Sequence, residues 1–292
     1  MFRGTITAMI TPFTEGRVDE ARLRENVAWQ IDQGVAGLVP CGTTGESPTL
    51  SHEEHERVVE VVVDAADGRV PVIAGAGSNS TAEALRLSRH AKSVGAAATL
   101  QVNPYYNKPT QEGLYRHFAS VADQVDLPVV LYNIPGRSGV ATTPATVARL
   151  ADHENIGALK EATGSMDSAS ELATLCGEKL TILSGDDSMT LPLMAIGGTG
   201  VISVVSNLLP ERVRALTDAA ENGDYDEARR LHRQLFAICR GMLALETNPI
   251  PIKTAMAMAG RDTGELRLPM CEMAEDNRAR LQALLREQGV IG

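Results

Sequence analysis

The chain has 292 residues, 43% of them apolar, and its 37 acidic and 27 basic side chains give a net charge of −10. This composition is typical of one large globular domain, with or without an appendage. The negative charge argues against nucleic acid or an anionic membrane as a partner. No apolar run reaches the roughly 18–20 residues of a membrane span, and no secretory signal is expected before Pro12.

Cysteines and histidines show no pairing pattern that would indicate a metal or a disulfide framework. The four cysteines are far apart without a Cys-x-x-Cys motif, which predicts reduced thiols in a cytoplasmic protein. His52 and His55 lack the wider spacing of a helical zinc pair, and Gly75-Ala76-Gly77 lacks the third glycine of a dinucleotide loop. The sequence therefore predicts no metal and no nucleotide cofactor. The cysteines are Cys41, Cys176, Cys239 and Cys271.

Short runs rich in Val, Ile and Leu alternate with segments of helical periodicity along the chain. Because these runs lack strict alternation, they predict parallel strands buried on both faces, and eight β-helix-β repeats close into a barrel. The sequence predicts an α/β fold, a (β/α)8 TIM barrel over residues 1–222, with a doubly wound open sheet as the alternative. The predicted strands are Thr5–Pro12, Gly37–Cys41, Pro71–Gly75, Ala97–Val102, Pro128–Asn133, Ile156–Glu161, Leu180–Ser184 and Gly200–Val205.

The intervening helical segments carry their own start signals. Ser51 with Glu54, and Ser80 with Glu83, both fit a capping box, in which a hydroxyl and a carboxylate three residues later satisfy free amides. Pro210 suits the first turn of the helix after the eighth strand. From residue 223 onwards apolar residues recur every three or four positions, which predicts a C-terminal helical appendage over 223–292 packed on the barrel.

Polar residues cluster after the predicted strands, where barrels of this kind build their active sites. Lys160 lies late in the sixth strand, and an ammonium in an apolar inner strand is costly unless it is paired or neutralised. A neutral amine there could attack a ketone to form a Schiff base. The alternative is a structural lysine in a salt bridge with Glu161 or another carboxylate. Solvent exposure is expected for the other four lysines, Lys92, Lys108, Lys179 and Lys253.

Three further elements could serve such an amine. Tyr132 ends the strand before that of Lys160, so its hydroxyl is expected beside the amine as a proton carrier, or otherwise as a satisfied core group. Thr43 and Thr44 lie between glycines before a helix and offer hydroxyls and amides to a small carboxylate, or serve only as a turn. Arg137 follows a Pro-Gly turn and could bind a second carboxylate, or remain solvated.

Four motifs stand at the ends of predicted strands: Gly42-Thr43-Thr44-Gly45-Glu46, Tyr105-Tyr106, Tyr132-Asn133-Ile134-Pro135-Gly136-Arg137 and Lys160-Glu161-Ala162-Thr163-Gly164. In this combination the chain resembles the dihydrodipicolinate synthase family of the pyruvate-dependent class I aldolase superfamily, to which the N-acetylneuraminate lyases also belong. The resemblance covers essentially the whole chain, including Ser184-Gly185-Asp186-Asp187, Gly200-Val201-Ile202-Ser203 and Asn248-Pro249-Ile250-Pro251-Ile252-Lys253.

The resemblance implies a cofactor-free lyase in which Lys160 forms a Schiff base with pyruvate. A proton relay would comprise Thr43, Tyr132 and Tyr106, the last contributed by a neighbouring subunit of a homotetramer, a dimer of dimers. The enamine would attack L-aspartate 4-semialdehyde, and cyclisation would give 4-hydroxy-tetrahydrodipicolinate, an early intermediate of diaminopimelate and lysine biosynthesis.

The resemblance also assigns substrate contacts. Thr43 and Thr44 would hold the carboxylate of pyruvate, and Arg137 the carboxylate of the semialdehyde. Gly185 and Ile202 would line the site through backbone groups.

Feedback inhibition by L-lysine is a further implication of the resemblance. In lysine-sensitive members the effector sits at a subunit interface. Glu83 could pair with an ammonium there, whereas the alternative is a solvated helix start at an ordinary interface. Pro48 stands where the family pattern has alanine, which leaves the strength of inhibition open. The matching positions are Ser47, Pro48, His52, His55, Asn79, Glu83 and Tyr105.

Two rival functions remain at the level of sequence. One is another lyase of the same superfamily, an N-acetylneuraminate lyase or a 2-keto-3-deoxy sugar-acid aldolase, although the neuraminate lyases lack an arginine matching Arg137. The other is a barrel without catalysis that serves as a small-acid sensor or scaffold. The complete set of lysine, tyrosines, threonine and arginine argues against this second rival.

Overall fold

Parallel strands form the wall of a barrel in the computed structural model, which describes residues 2–292. In this part of the chain eight strands pair in the order β4-β1-β10-β9-β8-β7-β6-β5, and β2 and β3 form a separate hairpin. The strands are β1 (Gly4–Ala8), β2 (Phe13–Thr14), β3 (Arg17–Val18), β4 (Gly37–Val39), β5 (Ile73–Gly75), β6 (Ala98–Val102), β7 (Val129–Asn133), β8 (Ile156–Glu161), β9 (Thr181–Ser184) and β10 (Gly200–Ser203).

The two end strands of the sheet, β4 and β5, meet and close the barrel. Leu38 forms a parallel bridge with Val72, and Gly75 N donates to Pro40 O at 2.9 Å. The predicted TIM barrel is therefore confirmed, and the open sheet is excluded. The first strand ends short of the predicted Pro12, because Met9 N makes the last ladder bond, to Val39 O at 3.0 Å. The hairpin β2–β3 was not predicted, since strands of two residues show no periodicity.

Alternate residues along the strands divide between two apolar layers. Tyr132 and Ala158 belong to the cluster that fills the barrel interior. Leu131 and Leu159 belong to the layer beneath the helices. Because side chains alternate along a strand, Lys160 lies on the same face of β8 as Ala158, towards the interior.

The helices surround this barrel and continue beyond it. Within residues 2–292 none combines the length and the apolarity needed to cross a membrane. Pro210 opens α9, as predicted. The helices are α1 (Glu20–Asp32), α2 (His52–Ala66), α3 (Thr81–Ser93), α4 (Gln111–Gln124), α5 (Pro135–Ser138), α6 (Pro144–Leu150), α7 (Met166–Cys176), α8 (Thr190–Met194), α9 (Pro210–Glu221), α10 (Tyr225–Ala244), α11 (Ile250–Met258) and α12 (Glu275–Glu287).

Only one of the two predicted capping boxes forms. Ser51 Oγ accepts from Glu54 N at 3.2 Å, and Glu54 Oε2 accepts from Ser51 N at 3.0 Å. The prediction for Ser80 was wrong, because its side chain makes no cap bond. Its backbone N–H donates to Ser78 Oγ at 3.0 Å, and Ser78 Oγ in turn donates to the carboxylate of Glu83. Ser78 thus takes the place of Glu83 as the acceptor of the Ser80 amide.

The C-terminal helices pack on the barrel through an apolar cluster shared with α8 and α9. Lys253, in α11, was expected to be solvated, and that prediction was wrong: its side chain is 0% exposed. Its ammonium pairs with Glu46 Oε1 at 2.7 Å and donates to Thr11 O at 2.9 Å. Two partners from the barrel therefore make burial of this cation possible. Lys92, Lys108 and Lys179 are exposed, as predicted.

Candidate active site

Adjacent strands bring Lys160 and Tyr132 together, as their positions in the sequence predicted. The two residues are register partners on β8 and β7. Lys160 is 5% exposed, and its Nζ lies 4.3 Å from the centroid of the Tyr132 ring. Tyr132 is likewise 5% exposed. The amine is therefore held inside the barrel against an aromatic face.

The salt bridge considered for Lys160 does not form. Lys92, Lys179 and Lys253 each pair with a carboxylate, whereas Lys160 has no carboxylate within 4.0 Å among the residues from Phe2 to Gly292. The neighbouring Glu161 accepts from Thr163 N at 2.8 Å and from the Thr163 hydroxyl. Burial raises the pKa of the Glu161 carboxyl, and the Thr163 hydrogen bonds oppose that shift. Lys160 is thus a buried lysine without a neutralising partner.

Gly185 follows β9 at a point where the chain passes close to Lys160. A Cβ at this position would lie 2.7 Å from Ala162 Cβ and 3.1 Å from Lys160 Cε, so a larger residue would displace the lysine side chain. Gly185 N donates to Glu161 O at 2.7 Å, which leaves its carbonyl as the free backbone group. Ile202 is 0% exposed in the interior cluster. Gly185 therefore borders the lysine side chain, and Ile202 lies in the barrel interior.

The threonine loop after β4 folds back as a tight turn. Gly45 N donates to Gly42 O at 3.1 Å, and Glu46 N donates to Thr43 O at 3.2 Å. Thr44 is 3% exposed, whereas Thr43 is only half-buried. Thr43 therefore presents more of its surface to the solvent-filled space above the strands.

Asn248 links the threonine loop to the arginine loop. Its side-chain Nδ2 donates to Thr44 Oγ1 at 3.0 Å, and its backbone carbonyl oxygen accepts from Arg137 Nη2 at 3.1 Å. Arg137 itself is exposed on α5. Asn248 was not predicted as a site residue, although it begins the motif Asn248-Pro249-Ile250. Only contacts between residues far apart in sequence reveal its position.

A cavity of about 440 Å³ opens at the carboxyl ends of the strands. Tyr132 reaches it from the strand end, and Thr43 and Arg137 from the surrounding loops. Six of the seven candidate lysine-binding residues line the same cavity: Ser47, Pro48, His52, His55, Glu83 and Tyr105. The remaining candidate site residues of the described chain lie outside its lining: Lys160, Thr44, Gly185, Ile202, Asn79 and Tyr106.

Glu83 is the centre of the polar side of this cavity. Its carboxylate accepts from the Ser78 hydroxyl and lies 2.6 Å from His52 Nε2. The hydrogen bonds from Ser78 and then His52 lower the pKa of Glu83, which keeps it anionic. Burial lowers the pKa of His55 to about 4, so that imidazole is neutral at pH 7. Burial and the nearby Glu83 raise the pKa of Tyr105.

The loop after β6 carries Tyr105, which contacts Asn79, and Tyr106. Asn79 Nδ2 donates to Tyr105 O at 3.1 Å, which ties it to the cavity wall. Tyr106 is 90% exposed and has a positive φ of 73°, and the structure does not bring it near Lys160. Its catalytic role therefore stays a prediction that depends on a second subunit.

Comparisons with known proteins agree over nearly the entire length. The model of the Dihydrodipicolinate synthetase family matches residues 1–288. A 4-hydroxy-tetrahydrodipicolinate synthase of Pelobacter propionicus is 56% identical over 291 residues, which cover 100% of both chains. The solved structure of dihydrodipicolinate synthase from Aquifex aeolicus is 49% identical, covers 99% of each chain and has a TM-score of 0.97. The DHDPS from Cyanidioschyzon merolae with lysine bound is 36% identical, covers 99% of each chain and has a TM-score of 0.96.

Proposed function

The chain belongs to the Dihydrodipicolinate synthetase family and is an enzyme, and we propose that it condenses pyruvate with L-aspartate 4-semialdehyde. The product would be 4-hydroxy-tetrahydrodipicolinate, which leads to diaminopimelate and lysine. The observation that carries the proposal is the buried amine of Lys160, which faces Tyr132 and has no ion-pair partner among residues 2–292. Such an amine is available for a carbonyl carbon instead of being committed to a structural ion pair.

In the first stage Lys160 Nζ attacks the keto carbon of pyruvate. The carbinolamine loses water and leaves a protonated imine, so no metal or organic cofactor is needed to polarise the carbonyl. The centroid of the Tyr132 ring lies 4.3 Å from Lys160 Nζ, and the hydroxyl of this tyrosine would carry the proton to the departing hydroxyl. Thr43, together with Tyr106 of a neighbouring subunit, would complete the proton path.

In the second stage the imine loses a proton from its methyl group and becomes an enamine. Its carbon attacks the aldehyde carbon of the second substrate, and the aldehyde oxygen takes up a proton. The amino group of that substrate then attacks the imine carbon, closes the ring and releases Lys160 as a free amine. The net reaction joins the two substrates with loss of one water.

Each substrate brings a carboxylate, and two separate elements are suited to bind them. Thr43 and Thr44 would hold the carboxylate of pyruvate through hydroxyl and amide donors. Arg137 would hold the carboxylate of the semialdehyde, because only one of its five donors is used by Asn248 O. Gly185 and Ile202 would line the site through backbone groups.

L-lysine would inhibit the enzyme from the polar side of the cavity. The anionic Glu83, fixed by Ser78 and His52, offers a partner for one ammonium group. The lysine-bound relative from Cyanidioschyzon merolae supports this role. Glu83→Gln should raise the lysine concentration for half-inhibition about tenfold, and Glu178→Gln, at an exposed site, is the matched control. A wild-type enzyme that ignores millimolar lysine would contradict the proposal.

The assembly and the chain's organisation are also part of the proposal. A homotetramer built as a dimer of dimers would bring the exposed Tyr106 of one subunit to the site of another. Residues 1–222 would form the catalytic barrel and residues 223–292 the helical appendage. All four cysteines carry free thiols, which fits a cytoplasmic enzyme. Sedimentation of the purified protein tests the tetramer, and a catalytically active monomer would contradict it.

Steady-state kinetics separate this function from the rival lyases. We expect turnover with pyruvate plus L-aspartate 4-semialdehyde and none with N-acetylneuraminate or 2-keto-3-deoxy sugar acids. Arg137→Ala should raise the KM for the semialdehyde more than the KM for pyruvate, because the guanidinium serves the second substrate. Cleavage of a sugar acid at a comparable kcat/KM would favour the rival lyase instead.

A further inference from the structure

We propose that Asn248 is a positioning residue that orients the Thr44 hydroxyl towards the pyruvate carboxylate while its backbone fixes Arg137. This inference deepens the proposed function and depends on it. The residue comes from the segment between α10 and α11, yet its two partners lie 204 and 111 residues earlier in the chain. The C-terminal segment thereby reaches both loops proposed to bind carboxylates.

The hydrogen bond between Asn248 and Thr44 has a fixed direction. An amide nitrogen can only donate, so Thr44 Oγ1 accepts from Asn248 Nδ2 at 3.0 Å. The single hydroxyl proton of Thr44 is therefore not used in that bond. Within residues 2–292 the Thr44 hydroxyl has no protein acceptor for this proton. A bound carboxylate would supply one.

The contact between Asn248 and Arg137 does not involve the asparagine side chain. Asn248 contacts Arg137 through the backbone carbonyl, at 3.1 Å from Nη2. A backbone contact survives replacement of the side chain. The two links made by Asn248 can therefore be separated by mutation: the side chain serves Thr44, and the main chain serves Arg137.

The side-chain oxygen of Asn248, Oδ1, makes no hydrogen bond to the described part of the chain. Asn248 is 5% exposed, and its Oδ1 is buried with no hydrogen-bond partner in the described part of the chain. A buried acceptor without a donor destabilises the folded protein. Within the described part of the chain the amide therefore makes a single side-chain hydrogen bond, the one from Nδ2 to Thr44 Oγ1.

The test measures pyruvate binding and the two KM values separately. Borohydride trapping at increasing pyruvate, without the second substrate, reports imine formation. Asn248→Ala and Asn248→Asp should each raise the half-saturating pyruvate concentration about tenfold, because a hydroxyl aimed at a charged group is lost. The KM for the semialdehyde should stay close to wild type with Asn248→Ala.

The double variant Asn248→Ala/Thr44→Val should have a half-saturating pyruvate concentration no higher than that of Thr44→Val. Asn222→Ala, at an exposed helix end, is the matched control.

Each outcome decides a specific point. Additive defects in the double variant, or equal defects for both substrates, would overturn the positioning role. Wild-type behaviour of Asn248→Asp would show that Thr44 donates to residue 248 and would also overturn it. Because the Asp side chain keeps the shape of Asn, this variant serves if the alanine variant fails to fold. A wild-type protein that traps no pyruvate would instead refute the proposed function itself.

Discussion

Two buried lysines divide the molecule into a chemical region and a structural one. Lys253, at the seam between the barrel and α11, is 0% exposed and pairs with Glu46 Oε1 at 2.7 Å. Lys160, inside the barrel, is 5% exposed and has no carboxylate partner within residues 2–292. Burial alone therefore does not identify a reactive amine. The partners of the ammonium separate the two cases.

The contacts of Lys253 explain how a charged ammonium can be buried between α11 and the barrel. Its ammonium lies 4.2 Å from the centroid of the Phe13 ring and donates to Thr11 O. Arg267 N donates to the second oxygen of Glu46 at 3.2 Å. Burial lowers the pKa of Lys253, while the charge of Glu46 acts in the opposite direction. The loop that carries Thr43, Thr44 and Glu46 is thus held to the C-terminal segment by a satisfied ion pair.

The largest expected effect is on turnover and separates Lys160 from every other lysine. Lys160→Met should lower kcat on the order of 10,000-fold, because no imine can form. Its midpoint of urea unfolding should stay near wild type, since no carboxylate loses a partner. Lys179→Met, at an exposed site, should leave kcat unchanged. If Lys160→Met retained a tenth of the wild-type kcat, the proposed chemistry would be wrong.

The reverse pattern is expected for Lys253. Lys253→Met should destabilise the fold by about 3–5 kcal/mol, because Glu46 would remain buried without its cation. Adding Glu46→Gln should recover part of this loss, since the uncompensated charge is removed. Urea unfolding of the single and double variants measures both effects. A loss below about 1 kcal/mol in the single variant would mean that the pair is not structural.

The buried His117 should make the free energy of unfolding depend on pH. Burial lowers the pKa of His117 to about 4 from 6.5. Above pH 6.5 both the folded and unfolded states hold a neutral ring, so this group contributes nothing to the pH dependence. As the pH falls from 6.5 to 4, only the unfolded state gains the proton, and stability should decrease by about 3 kcal/mol.

The matched variant isolates this contribution from the carboxylates that titrate in the same range. His117→Gln should flatten the decline in urea unfolding free energy between pH 6.5 and 4. An unchanged slope in that variant would show that the imidazole of His117 takes up its proton equally in both states.

The smallest expected effect compares the two predicted capping boxes. Ser51→Ala should cost about 1 kcal/mol, because Ser51 Oγ accepts from the helix amide of Glu54. Ser80→Ala should change the unfolding free energy far less, because its side chain caps nothing. Equal losses in thermal unfolding would contradict this difference.

Local sequence patterns located the elements of the fold, whereas closure of the barrel depends on the contact between β4 and β5. Apolar runs located all eight barrel strands, and Pro210 located the start of α9, because burial and capping depend on neighbouring residues. Lys160 was also predictable, because a cation in an apolar strand is costly wherever it occurs. Tyr132 followed from strand order alone.

Two of the failures share a physical cause, which is contact between residues far apart in the sequence. Lys253 and Glu46 are 207 residues apart, and Asn248 and Thr44 are 204 apart. No local pattern in α11 indicates a buried partner for Lys253. The spacing of Ser80 and Glu83 fits a capping box, yet the Glu83 carboxylate is bound by Ser78 and His52. The proposed role of Tyr106 requires a second subunit, which the sequence of one chain does not place.

The central claim is that one buried amine, and not the other, reacts with a keto acid. Incubation with pyruvate and borohydride, followed by digestion and peptide mass mapping, tests it directly. We expect one reduced pyruvate adduct, located on the peptide that contains Lys160, and an unmodified Lys253 peptide. An adduct on Lys253, or no adduct on a folded protein at saturating pyruvate, would contradict it.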